Sequence, residues 1–187
     1  MTRRSIVVTC FAGWHGFDLA QGLDRAGLLE CLVTLASPRQ IEARYGIPRQ
    51  RIRRLPLAPL LHRLELWFTK HAAAAFKNAY FALFCSLYDR FTQGALTPHT
   101  RVLVAWHPFA TQTLMAAKKR GIVTVLDVGS THPLEQYAVL SAEHVDLGIP
   151  KPWIPARVLA HCWMFHEVDW IAVPSTAVRH SFLKHGI

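Results

Sequence analysis

Three short stretches of the chain carry side chains able to hold or deprotonate a hydroxyl group. The richest is Asp127-Val128-Gly129-Ser130-Thr131-His132-Pro133. It offers a carboxylate, a hydroxyl pair and an imidazole in close succession, groups that hydrogen-bond ligand hydroxyls or take a proton from one. A second stretch is His107-Pro108-Phe109. The third, Phe11-Ala12-Gly13-Trp14-His15-Gly16-Phe17, contains two glycines that let backbone N–H groups approach an anionic or hydroxyl-rich ligand at a helix start. A plainer reading stands beside the first and the third. The glycines serve equally a tight strand-to-helix turn, and Asp127 and Ser130 could cap the next helix while His132 is a solvated loop residue.

These stretches matter because of what precedes them. Each follows a short apolar run of strand character, and in an open parallel sheet ligands bind at the carboxyl ends of the strands. Strands are predicted at Ile6 to Cys10, Glu30 to Leu35, Arg51 to Leu55, Arg101 to Trp106, Ile122 to Val128 and Trp170 to Val173. Between them, helices are predicted at Phe17 to Ala26, Leu60 to Thr92 (one or two helices), Thr111 to Arg120, Leu134 to Val145, Ala156 to His166 and Ser175 to His185. Such alternation implies an α/β fold, a parallel sheet flanked by helices. Trp67, Phe68, Phe76, Tyr80, Phe81, Phe84, Leu87, Tyr88 and Phe91 recur at helical spacing and are expected to form a core face.

The 187 residues suffice for one well-buried domain, and 51% apolar with 18% charged residues excludes a disordered tail. A net charge of +9 favours polyanions without choosing among nucleic acid, anionic lipid and phosphorylated substrates. Arg49, Arg51 and Arg53 would alternate along one face of the third strand, a solvated face or a membrane-surface patch. No nucleic-acid reader motif accompanies the charge. Cys10, Cys31, Cys85 and Cys162 lie among apolar neighbours without a C-x-x-C pair, as expected in a reducing cytoplasmic setting. The apolar stretch from Ala72 to Phe91 is interrupted by Lys77 and Asp89 and falls short of a membrane span. His161 and His166 are wrongly spaced for one helix face, so no metal site is expected. Serine-hydrolase and P-loop signatures are missing, and without G-x-G-x-x-G or an acidic residue after the second strand an NAD-dependent oxidoreductase is disfavoured.

From Glu167 the chain reads Glu167-Val168-Asp169-Trp170-Ile171-Ala172-Val173-Pro174-Ser175, then Val178-Arg179-His180-Ser181-Phe182-Leu183-Lys184-His185-Gly186. This acidic element, apolar strand, Pro-Ser and R-x-S-F-L-K-x-G helix resembles the end of the N-terminal domain of family 4 glycosyltransferases. The similarity extends to the first glycine loop and the Asp127 stretch. It implies one Rossmann-like half of a GT-B fold, a single N-terminal domain over residues 1–187, with the donor-binding domain beyond Ile187. On that basis His132 and Asp127 are catalytic candidates. Gly13, His15, Gly16, His107, Ser130, Thr131 and Glu135 are substrate-binding candidates. No cofactor is expected on this half, and a nucleotide sugar would be the donor of the complete enzyme. The implied partners are a glycan or lipid-linked acceptor, a donor domain in cis or trans, and an anionic membrane surface at the inner face of the plasma membrane. Alone, the chain would be inactive; the competing reading is a non-catalytic sugar- or membrane-binding accessory module.

Overall fold

A computed structural model describes residues 4–11, 15–71, 73–152 and 154–187. The chain runs β1 (Ile6–Thr9), α1 (Gly16–Arg25), β2 (Leu29–Thr34), α2 (Pro38–Tyr45), β3 (Ile52–Arg54), α3 (Ala58–His71) and α4 (Ala74–Gln93). It continues through β4 (Val102–Trp106), α5 (Thr111–Lys119), β5 (Val123–Asp127), α6 (Pro133–Asp146), α7 (Ala156–Ala160), β6 (Trp170–Ala172) and α8 (Thr176–Leu183). The six strands are all parallel, in the order β3-β2-β1-β4-β5-β6. This is the doubly wound, Rossmann-like order, and the direction of winding reverses between β1 and β4.

The sheet forms because its inner strands are apolar on both faces. Val7 and Val8 are neighbours, so they point to opposite faces, and both are fully buried; Leu32 and Val33 repeat the pattern in β2. Helices cover both sides: α1 packs with α2, and α4 packs with α5 and α7. From α4, Tyr88 reaches down to the sheet, donating to the Val33 carbonyl (2.8 Å) and sharing a hydrogen bond with Thr9 Oγ1 (2.8 Å). Phe11, just past β1, stacks on Phe109 at 4.4 Å and meets Phe84 edge-on at 5.0 Å. The loops after β1 and β4 therefore rest on one aromatic cluster.

A buried carboxylate ties α4 to α5. Asp89, 1% exposed, accepts from the Gln112 and Thr113 amides at 2.7 and 2.8 Å and from the Thr113 hydroxyl at 2.6 Å. The α5 N-terminus thus takes its cap from another helix, since Ala110 at the N-cap position makes no side-chain cap bond.

The strands predicted from sequence are found to within two residues at each end, and several other expectations need correction. The stretch from Arg39 to Tyr45 forms α2, with Pro38 in its first turn and Gly46 ending it at φ 69°. Arg49 to Arg51 is a 3-10 turn ahead of β3, so Arg49, Arg51 and Arg53 do not alternate on one strand face. Instead Arg49 pairs with Glu42, Arg51 with Asp24, and Arg53 donates to the Gly94 carbonyl. Cys162–His166 is a 3-10 turn rather than the end of α7. The aromatic residues do not share one core face. Phe84 and Tyr88 are buried, whereas Trp67 and Phe76 are exposed. No helix among the described residues is long and apolar enough to cross a membrane.

Candidate functional site

At the winding reversal, the ends of β1, β4 and β5 converge. Trp106 closes β4, where its register partner on β5 is Asp127. Opposite them, His15 stands at the N-cap of α1, where its ring lies 5.4 Å from that of Trp106. His15 Nε2 is 2.9 Å from both carboxylate oxygens of Asp127, a pairing between residues 112 positions apart. Asp127 is largely buried, while about half of the His15 side chain is exposed. A carboxylate only accepts, so Nε2 carries the hydrogen when His15 is neutral, and Nδ1 is left with a lone pair. The arrangement is an imidazole fixed in tautomer and orientation by a buried carboxylate, which is how a general base is prepared.

This pair borders a cleft of about 520 Å³ lined by His15, Trp106, His107, Gly129 and Ser130. A narrower pocket of about 60 Å³ adjoins it, reaching Asp127, Val128, Thr131 and Pro133 between Phe165 and Phe182. His107, Ser130 and Thr131 thus line these cavities, as substrate-binding candidates would need to. Gly13 lies outside the described residues. Trp106 is not among the sequence candidates because nothing local distinguishes the last residue of an apolar strand as ligand-facing.

Gly16 sits beneath the cleft and lets α1 start against β4. A Cβ there would lie 2.7 Å from Cys10 Sγ and 2.7 Å from the far edge of the Trp106 ring. Gly16→Ala should therefore displace Trp106 and His15 together and destabilise the fold by about 1–3 kcal/mol. Chemical denaturation with tryptophan fluorescence would read this, and unchanged stability would show that the close approach is dispensable.

His132 and Glu135 occupy different surroundings. His132 is 2% exposed and N-caps α6: its Nδ1 accepts from the Leu134 amide at 3.3 Å, and its own amide donates to Ser181 Oγ at 2.9 Å. Its ring stacks on His185 at 4.2 Å and contacts Phe165 and Phe182. Glu135 pairs with Lys184 at 2.8 Å, joining α6 to the end of α8, and the Lys184 hydrogen bonds hold its carboxyl below the usual range.

Burial lowers the His132 pKa from 6.5 to about 4, helped by the charges of His185 and His166. Between those values the unfolded chain binds the proton and the native one does not. This contribution to stability is complete above pH 6.5 and is lost as pH falls toward about 4. The melting temperature should drop across that window. His132→Asn, whose amide oxygen can take the place of Nδ1 at the cap, should drop less steeply. An equal slope in the variant would place the proton uptake elsewhere.

Among the described residues no group of three or more His, Cys, Asp or Glu side chains is disposed to hold a metal ion. Fold and site together define a doubly wound parallel α/β domain with a His–Asp pair at its switch point. No protein-family model matches the chain, and no curated protein does. Among solved structures it is similar to a UGT transferase from Siraitia grosvenorii in complex with UDP, at 15% identity and a TM-score of 0.47. The alignment takes in 98% of this chain and 48% of that one, so the chain spans about half its length.

Proposed function

We propose that the chain is the acceptor-side half of a nucleotide-sugar-dependent glycosyltransferase of the GT-B type, with His15 as the base that activates the attacking hydroxyl. The observation that carries this reading is the His15–Asp127 pair, set at the mouth of a cleft where a parallel sheet binds ligands. The resemblance of the Glu167 to Gly186 stretch to family 4 glycosyltransferases supports the sugar chemistry. In the reaction, the acceptor oxygen bonds to the anomeric carbon as its proton passes to His15 Nδ1, and the nucleotide diphosphate leaves from the opposite side. Asp127 stabilises the imidazolium that results. A single displacement of this kind inverts the anomeric centre.

The donor and its phosphates belong to a facing domain, in cis or trans, so this half alone is expected to transfer little. The coding sequence downstream of Ile187, or a neighbouring frame, should supply that domain. The reading is tested by assaying nucleotide diphosphate release and product anomer with both halves present. Release that is independent of this half, or a retained anomeric configuration, would remove His15 from the role of base.

A second reading, an accessory module at an anionic membrane surface on the cytoplasmic side, draws on one observation. Leu60, Trp67 and Phe76 on α3 and α4 are more than half exposed, close in sequence to Arg63. Co-sedimentation with vesicles containing phosphatidylglycerol, set against phosphatidylcholine alone, distinguishes this from a purely core-forming role. Both readings hold together if the acceptor is lipid-linked.

A further inference from the structure

Two polar atoms at the cleft have no hydrogen-bond partner among the described residues, Trp106 Nε1 and His107 Nε2. Trp106 is 4% exposed, and both residues line the larger cleft and the narrower pocket beside it. Burying a polar atom unpaired is costly, so such atoms point to a ligand that completes them. Their chemistry is complementary. An indole N–H only donates. His107 is neutral, its pKa driven down to about 3 chiefly by burial. A neutral imidazole keeps one nitrogen as an acceptor, and the tautomer with Nε2 bare turns that acceptor to the cleft. Together they offer one donor and one acceptor, the complement of a ligand hydroxyl.

The charge around the cleft narrows the ligand further. None of the described residues lining either cavity is a lysine or arginine, and the carboxylate of Asp127, bonded to His15, lines the narrower pocket. A phosphate or carboxylate entering here would meet a negative charge and no cation. The protein's positive excess lies elsewhere, part of it engaged by Asp24, Glu42 and Glu135.

We propose that Trp106 and His107 form a subsite for an uncharged hydroxyl of the acceptor, adjacent to the hydroxyl that His15 activates, and that the cleft selects neutral polyols over phosphorylated or acidic ones. The proposal rests on reading this cleft as the acceptor wall. It makes Trp106 a specificity-determining residue, and it places any phosphate of a lipid-linked acceptor outside the cleft.

The test is a set of ¹H–¹⁵N titrations of the chain with methyl β-glucoside, glucose 6-phosphate and inorganic phosphate. Six tryptophans give six indole signals, and Trp106→Phe identifies the one that matters. Methyl β-glucoside should move that signal. Trp106→Phe and His107→Phe should each weaken its binding about tenfold, while His107→Gln, which retains an acceptor oxygen, stays within about threefold. If Trp106→Phe fails to fold, the two His107 variants read the same subsite. An unmoved Trp106 signal at saturation, or tighter binding of glucose 6-phosphate or phosphate than of the neutral glucoside, would overturn the proposal. A moved signal with no transfer when the donor half is supplied would leave the subsite standing and remove only the transferase reading.

Discussion

With the donor half supplied, His15→Ala should lower kcat/KM by roughly 10²–10⁴, the range a positioned general base contributes. Stability should change little, because the side chain is half exposed and its ring is held mainly by Asp127. Asp127→Asn should cost at least about 10² by a different route. The amide cannot enforce the Nε2–H tautomer or stabilise the imidazolium, so Nδ1 is no longer reliably the basic nitrogen. Because the two residues act as a unit, the double variant should be hardly slower than the worse single one. His132→Asn is the control. It keeps the α6 cap, and His132 is buried away from solvent, so transfer should continue at close to the original rate. A His15→Ala enzyme that turns over normally, or a His132→Asn enzyme that does not, would reverse the assignment of the base.

The largest stability effect should come from Asp89→Ala, at about 3–5 kcal/mol. The substitution leaves the Gln112 and Thr113 amides and the Thr113 hydroxyl without their acceptor in a site that water does not reach. It also removes the negative charge that faces the positive end of α5. Burial raises the pKa of this carboxyl, and the Thr113 and Gln112 hydrogen bonds and the Arg157 charge oppose the rise. Asp89→Asn keeps one acceptor oxygen and should lose roughly half as much. Urea unfolding would show a lowered midpoint with the same slope. A loss below about 1 kcal/mol would mean that α5 finds another cap.

Much of this architecture was legible in the chain because the strands are apolar on both faces and bounded by glycine or proline, a pattern that short-range reading captures. Asp89 was visible as well, as the acid interrupting the apolar stretch, although nothing near it in sequence announced a cap on a helix more than twenty residues away. By contrast, α2 was missed: Ser37-Pro38 and Gly46 mark its ends, but Ile41 is its one buried residue, so it shows little apolar periodicity. The arginines misled for a related reason. A 3-10 turn and a strand look alike over three residues, and here Arg51, at the end of the turn, pairs with Asp24.

The candidate site divides along the same line. His15 and Asp127 were each picked out, yet as members of separate stretches, because β1 and β5 are not neighbours and meet only across the end of β4. His132, the other catalytic candidate, owes its burial to Phe165, Phe182 and His185 from later segments. Strand order is the information that would have joined the pair, and local pattern does not carry it.

The placement of β1 in the middle of the sheet sets a timetable for synthesis. One edge of β1 is covered by β2 almost as soon as both are made, but the other waits for β4, which follows some 90 residues later. At about 5–20 residues per second the ribosome takes on the order of ten seconds to deliver it. During that interval the nascent half-sheet presents an apolar, unpaired edge of the kind that pairs with other chains. Slower translation between β3 and β4 should therefore lower the soluble yield of this protein, and chaperones that cover extended apolar segments should restore it.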